Sequence, residues 1–127
     1  MPITNFNYRT DSDVVKSEPN GHAGRDDAIL ASGSGVCLCG TILGTVTASG
    51  KLKPWAPAAV DGTQTASAVL LQWSDATAAD RTVVVLARGT AEIVSQAIVW
   101  PVGATAPQKA AALASLEAKL ITTRNGV

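Results

Sequence analysis

The chain has 127 residues, ten basic and ten acidic side chains, one His and two Cys, for a formal net charge of zero. That length holds one domain, or one domain and a tail, and the scattered, balanced charge excludes the basic footprint of a nucleic-acid binder. Charged residues are 16% of the chain, against about 25% in typical soluble domains, which fits a surface partly covered by other chains.

Residues 1–27 differ in texture from the rest. They hold Pro2 and Pro19, several Asn and Gly, and three basic against five acidic side chains. Their apolar residues are sparse: Ile3, Phe6, Tyr8, then Val14 and Val15. So little apolar surface does not offset the entropy of ordering a chain, so the segment reads as an extended N-terminal arm. At roughly 3.3 Å per residue it reaches at most ~90 Å. It lacks the apolar core of a signal peptide. No run elsewhere approaches the ~18 apolar residues of a membrane span, so synthesis in a cytoplasm and no membrane partner are expected.

From Ala28 the pattern turns to β. Strands are predicted at 28–31, 36–39, 41–47, 51–53, 68–73, 82–87, 91–94 and 98–100, with turns at Ser32–Gly35, Ser49-Gly50, Asp61-Gly62 and Arg88–Thr90. Pro54 and Pro57 end regular pairing, because neither can donate to a ladder. The runs 68–73 and 82–87 are continuously apolar, which implies burial on both faces. One helix is well specified near 106–120: Thr105 and Gln108 have the spacing of a capping box, and Pro107 lies where proline is tolerated. Ala106, Ala110, Leu113, Leu116 and Leu120 form its expected apolar face, and Lys119 suits the dipole at its end. Ile121–Thr123 returns as a short strand. The expected class is α+β and β-rich: a body over 28–127 with one C-terminal helix, preceded by the arm.

The residue types that carry chemistry do not assemble into a site. His22 sits in the arm between glycines, without the rigid partner a catalytic His needs. Cys37 and Cys39 are two apart, so on a strand they share a face, and a disulfide between them is strained. With one His they make a poor metal kit, and they read as small buried apolar residues. Asp26-Asp27 reads as a charged hinge. Pro54-Trp55-Ala56-Pro57 matches the P-x-x-P spacing of an SH3 ligand, a weak signal. Trp55, Trp73 and Trp100 suit either a binding platform or a core and interface role. No catalytic residue, cofactor or metal is expected.

Four stretches, in order, carry a resemblance. They are Ser17-Glu18-Pro19-Asn20-Gly21 with Arg25; Leu30-Ala31-Ser32-Gly33 leading to Gly40-Thr41-Ile42-Leu43-Gly44; Gly50-Lys51-Leu52-Lys53-Pro54-Trp55 through Asp61-Gly62-Thr63-Gln64-Thr65-Ala66 to Val69-Leu70-Leu71; and Val84-Val85-Leu86-Ala87-Arg88-Gly89, then Ile98-Val99-Trp100-Pro101 and the helix with Gln108-Lys109. The set resembles the lambda-type bacteriophage head decoration proteins, with Cys37-Leu38-Cys39-Gly40 standing where the family often has a Lys-Ala-Gly-like turn. The resemblance implies a homotrimer on the outside of the expanded capsid, at three-fold and quasi-three-fold positions, clamping neighbouring capsomers against DNA pressure. Its N-terminal arm adds a strand to the major capsid protein. The protein is then made in a bacterial host cytoplasm and ends on the outer surface of the virion, with no nucleic-acid partner and no enzyme activity. On that reading Phe6, Tyr8, Val14 and Val15 enter capsid pockets. Glu18, Pro19, Asn20 and Gly21 bend the arm at the body, and Trp55 and Trp100 face a neighbouring subunit or the shell. The alternatives are a stand-alone β-rich module, for example glycan-binding; another phage structural part; and an enzyme dependent on His22 or Asp61.

Overall fold

A computed structural model of the chain describes residues 14–18 and 23–124. Among the described residues ten strands run in chain order: β1 (Val15–Ser17), β2 (Arg25–Leu30), β3 (Gly35–Cys37), β4 (Ile42–Thr45), β5 (Leu52–Pro54), β6 (Ala66–Leu70), β7 (Ser74–Ala76), β8 (Arg81–Leu86), β9 (Ala91–Val94) and β10 (Ile121–Arg124). A 3₁₀ turn (Ser95–Ala97) follows β9, and a helix, α1 (Ala106–Glu117), precedes β10. Strands β2, β5, β4, β6 and β8 close into a barrel in that order. A three-stranded sheet, β1-β9-β10, and a two-stranded ribbon, β3-β7, complete the β structure.

The alternation of side chains along the barrel strands sorts the core into two clusters. Leu30, Leu43, Leu52, Ala68, Leu70, Val83 and Val85 pack together with Cys37 and Ala76 and fill the barrel side. Ile42, Val69, Leu86 and partly buried Val84 point the other way, into a larger cluster shared with Val14, Trp55, Ile93, Leu116 and Ile121. The continuous apolar runs of β6 and β8 thus have a cover on each face, as their composition requires.

The helix carries the expected cap. Thr105 Oγ1 accepts from Gln108 N at 3.3 Å, and Gln108 Oε1 accepts from Thr105 N at 2.9 Å. Its buried stripe is Ala112 and Leu116, with Leu113 beside them, against β6 and β10. The expected face is corrected at Ala106 and Ala110, which are exposed, and at Leu120, which lies beyond the helix. Alanines gain little from burial and so do not set the rotation of a helix; the leucines do. Lys119 also lies past the last turn. Leu120 ends the helix with a φ of +64°, a left-handed conformation that costs a non-glycine residue about 1 kcal/mol or more.

Other differences follow from pairing. Pro54 is the last residue of β5, opposite Leu43, rather than a stop before it. The stretch 98–100 makes only an isolated bridge, Thr41 to Val99. Strands β1 and β7 had no local signal. Cys37 and Cys39 are free and buried, but β3 ends at Cys37 and the two belong to different clusters, so they do not share a face.

Two substitutions test this account. Thr105→Ala lowers unfolding stability by about 1 kcal/mol through loss of the cap. Leu120→Gly, at an exposed position, raises it by up to about 1 kcal/mol by relieving the left-handed strain. Urea unfolding reads both, and a destabilised Leu120→Gly protein would count against the strain.

Candidate functional site

The N-terminal side of the body is where the sequence placed its binding residues, and the described part of it is anchored. Val14 is 0% exposed and belongs to the larger core cluster. It lies against Gly40, whose φ of +99° suits glycine and where an added β-carbon would sit 3.4 Å from a Val14 methyl and 2.2 Å from the Ala97 carbonyl oxygen. Val15 and Ser17 pair antiparallel with Ile93 and Glu92 of β9. Glu18 then accepts both arms of a guanidinium fork, Arg25 Nε to Oε2 at 2.9 Å and Arg25 Nη2 to Oε1 at 2.6 Å. A bidentate, partly buried pair of this kind fixes direction as well as distance. Arg25 itself opens β2, which pairs along its whole length with β8.

Val14 to Glu18 and Arg25 to Asp27, which the sequence reading placed in the arm, are packed or paired with the body among the described residues. Val14 and Val15, expected in capsid pockets, are core and sheet residues of this chain, because the apolar layer over the barrel needs them. Glu18 is held by its ion pair with Arg25. Phe6, Tyr8, Pro19, Asn20, Gly21 and His22 lie outside the described residues.

The tryptophans part company. Trp55 is 2% exposed; its Nε1 donates to the Gln64 carbonyl at 2.9 Å. Its expected place on an inter-subunit or shell surface is corrected: it is core, and so is the middle of the Pro54–Pro57 match. Trp100 is half-buried, edge-on to Trp55 with ring centroids 5.6 Å apart, and Lys109 Nζ stands 5.7 Å over its ring. Together with Val36, Leu38, Thr41, Pro54 and Val99 it lines a groove of about 220 Å³. Trp73 is on the surface. One of three rings buried in the core leaves no three-ring platform for a sugar.

The carboxylates near the loops are occupied by turn geometry. Asp61 Oδ1 accepts from Thr63 N and Oγ1, and Asp75 Oδ1 does the same with Thr77. Asp80 accepts from Ser32 N and Lys51 Nζ. Each carboxyl is held below its ordinary value of 3.8, first by the side-chain bond and then by the backbone one. Asp61 is thus a turn-former, a poor candidate for acid–base work. Among the described residues no three metal-ligating side chains come together.

What the geometry defines is a β-barrel body with an apolar layer over it, to which the strand Val15–Ser17 is fastened. The family model described as bacteriophage lambda head decoration protein D matches residues 6–121, and the chain belongs to that family. It is a family of structural capsid proteins, and membership places the chain on the phage capsid as a decoration protein. A comparison with curated proteins finds no match.

The sequence reading did not foresee that Val36 on β3, and Leu38 and Trp73 just beyond the ends of β3 and β7, stay partly exposed. A signal was present: four consecutive apolar residues, Val36 to Cys39, cannot all face inward from one strand.

Two predictions follow from the anchor and the titrating groups. Val14→Ala removes two buried methyl groups at about 0.8 kcal/mol each and adds a cavity term, so unfolding stability falls by about 2–3 kcal/mol. A loss under about 0.5 kcal/mol in urea unfolding would show that Val14 is not part of the core. The pH profile has two limbs. The aspartates are held below their unfolded values, so their contribution is present above those values and is lost as pH falls through the folded ones. Burial, then the charge of Asp75, lifts the Cys37 thiol above 9.0; its contribution is whole below that value and lost as pH rises past it. Thermal melts across pH show a fall on each side, and Cys37→Ala softens only the alkaline one.

Proposed function

We propose that the chain acts as a homotrimer on the outside of the expanded phage head, at three-fold and quasi-three-fold positions, where it ties neighbouring capsomers together against the pressure of packaged DNA. The observation that carries the reading is the family match over residues 6–121. The anchored root at Val14–Glu18 supports it. Residues 1–13, with Ile3, Phe6 and Tyr8, reach the major capsid protein and add a strand to it.

Strand addition suits a segment of unremarkable sequence, because affinity comes from main-chain hydrogen bonds and only alternate side chains need pockets. One such strand holds weakly. Three on one trimer hold well, since the first contact presents the others at high effective concentration, an advantage of about 10²–10⁴ in avidity. The root converts grip into clamping: tension on the segment enters the body through the β1–β9 pairing and the Glu18–Arg25 fork.

The test is a truncation at residue 13, which spares β1 and β2. The shortened protein folds and keeps its oligomeric state. Its apparent affinity for expanded, undecorated heads drops by at least about a hundredfold, read by co-sedimentation and by imaging of the three-fold positions. Full occupancy by the truncated protein would rule out the segment as the grip.

A further inference from the structure

The sequence holds one Asp-Gly pair, Asp61-Gly62. In such a pair the glycine nitrogen has no side chain beside it and can reach the preceding carboxyl carbon, the ordinary first step toward isoaspartate. The fold leaves neither residue free to change. Gly62 has a φ of +109°, and a β-carbon there would collide with the Thr45 carbonyl oxygen and the Thr47 hydroxyl. Asp61 makes the turn: its Oδ1 accepts from Thr63 N at 3.1 Å and from Thr63 Oγ1 at 2.6 Å, and its carbonyl accepts from Thr47 N at 2.9 Å. Thr63 is buried, and Gly44 of β4 lies directly against it. The approach of the 61–64 turn to β4 therefore imposes a chemically vulnerable pair, and Asp61 is exposed to the water that completes the reaction.

The reaction has three requirements. The Gly62 nitrogen must be released, the Asp61 carboxyl must turn toward it, and the carboxyl must carry a proton so that an oxygen leaves as water. Each is opposed by a bond in the turn. Gly62 N donates to Gln64 Oε1 at 2.8 Å. The two Thr63 donors hold Asp61 Oδ1 in place. The same two bonds, the side-chain one first, keep the carboxyl below its ordinary value of 3.8 and so ionised, with the Lys53 charge adding to them.

We propose that Asp61 is the residue at which this protein isomerises, and that Gln64 and Thr63 form a guard that sets how slowly. Gly62 N bonds to Asp61 Cγ; the Cγ–OH bond breaks, and the hydroxyl leaves with the amide proton as water. Water then opens the cyclic imide at either carbonyl, returning aspartate or giving isoaspartate. The isomer carries one more methylene in its main chain, three residues before the carbonyl of Gln64 that accepts from Trp55 Nε1 at 2.9 Å. Trp55 belongs to the larger core cluster, so the change at an exposed turn is felt in the core. Nothing in this chemistry depends on head binding.

Peptide mapping of full-length protein, held warm at neutral pH and labelled with an isoaspartyl methyltransferase, tests it. Isoaspartate at position 61 forms at least about tenfold more slowly in the native protein than in the same chain in urea, because the turn must open first. Gln64→Leu and Thr63→Val each raise the native rate about fivefold, the effect of one ordinary hydrogen bond, and leave the rate in urea unchanged. Gln64 is at an exposed position, so its variant decides the matter if Thr63→Val disturbs the fold. In aged Gln64→Leu protein the Trp55 indole proton loses its exchange protection, read by NMR, in proportion to the isoaspartate formed. Equal native and urea rates in the wild type, or a Gln64→Leu rate equal to the wild type's, overturn the guard. No isoaspartate at position 61 in urea overturns the site.

Discussion

A five-stranded barrel with apolar side chains on both faces of its strands cannot stand alone in water. The inner face is satisfied by closure: Leu43, Leu70, Val83 and Val85 meet across the barrel. The outer face, with Ile42, Val69, Val84 and Leu86, needs a lid, and everything else in the fold supplies one. Helix α1 contributes Ala112 and Leu116, β9 contributes Ile93, β10 contributes Ile121, and the start of the chain contributes Val14. The capping box, the left-handed residue at the end of α1 and the parallel return of β10 along β9 are the local means of holding that lid in register.

This dependence explains which parts of the fold could be seen in the amino-acid order. Strands β2, β4, β6, β8 and β9 and the helix announce themselves, because their signals are local: β-branched runs, turn glycines such as Gly50 and Gly62, a Thr and a Gln three apart. Strand β1 does not. Val14 and Val15 are two apolar residues in polar company, and they become structured only because β9, nearly eighty residues later, offers an edge. Strand β7, with the sequence Ser-Asp-Ala, is equally silent without β3. Side-chain fate is less legible still. Trp55 and Trp100 each neighbour a proline, yet one is sealed in the core by a hydrogen bond to Gln64 and the other is half open, because only the tertiary approach of β5 and the 98–101 segment decides it. The family resemblance was legible for a different reason: ordered short stretches survive as a pattern even where no single one has a physical signature.

The anchored start of the chain changes the physical character of the proposed grip. A segment that leaves a body from an unpaired loop passes tension to that loop, which yields. In the proposed grip, tension would reach the body through a buried valine, two paired strand residues and a partly buried ion pair. The neighbouring contact of Gly40 with Val14 couples that root to the loop carrying Leu38 and Thr41, at the edge of the apolar groove.

Low charge then has a consistent place in the argument. A protein that finds its partner by diffusion gains from a strong field, which speeds encounter. One that covers a surface in many copies gains more from neutrality, because like charges repeated at every site repel one another. Among the described residues four ion pairs are closed within the chain, Glu18 with Arg25, Asp80 with Lys51, Asp26 with Arg88 and Glu92 with Arg124.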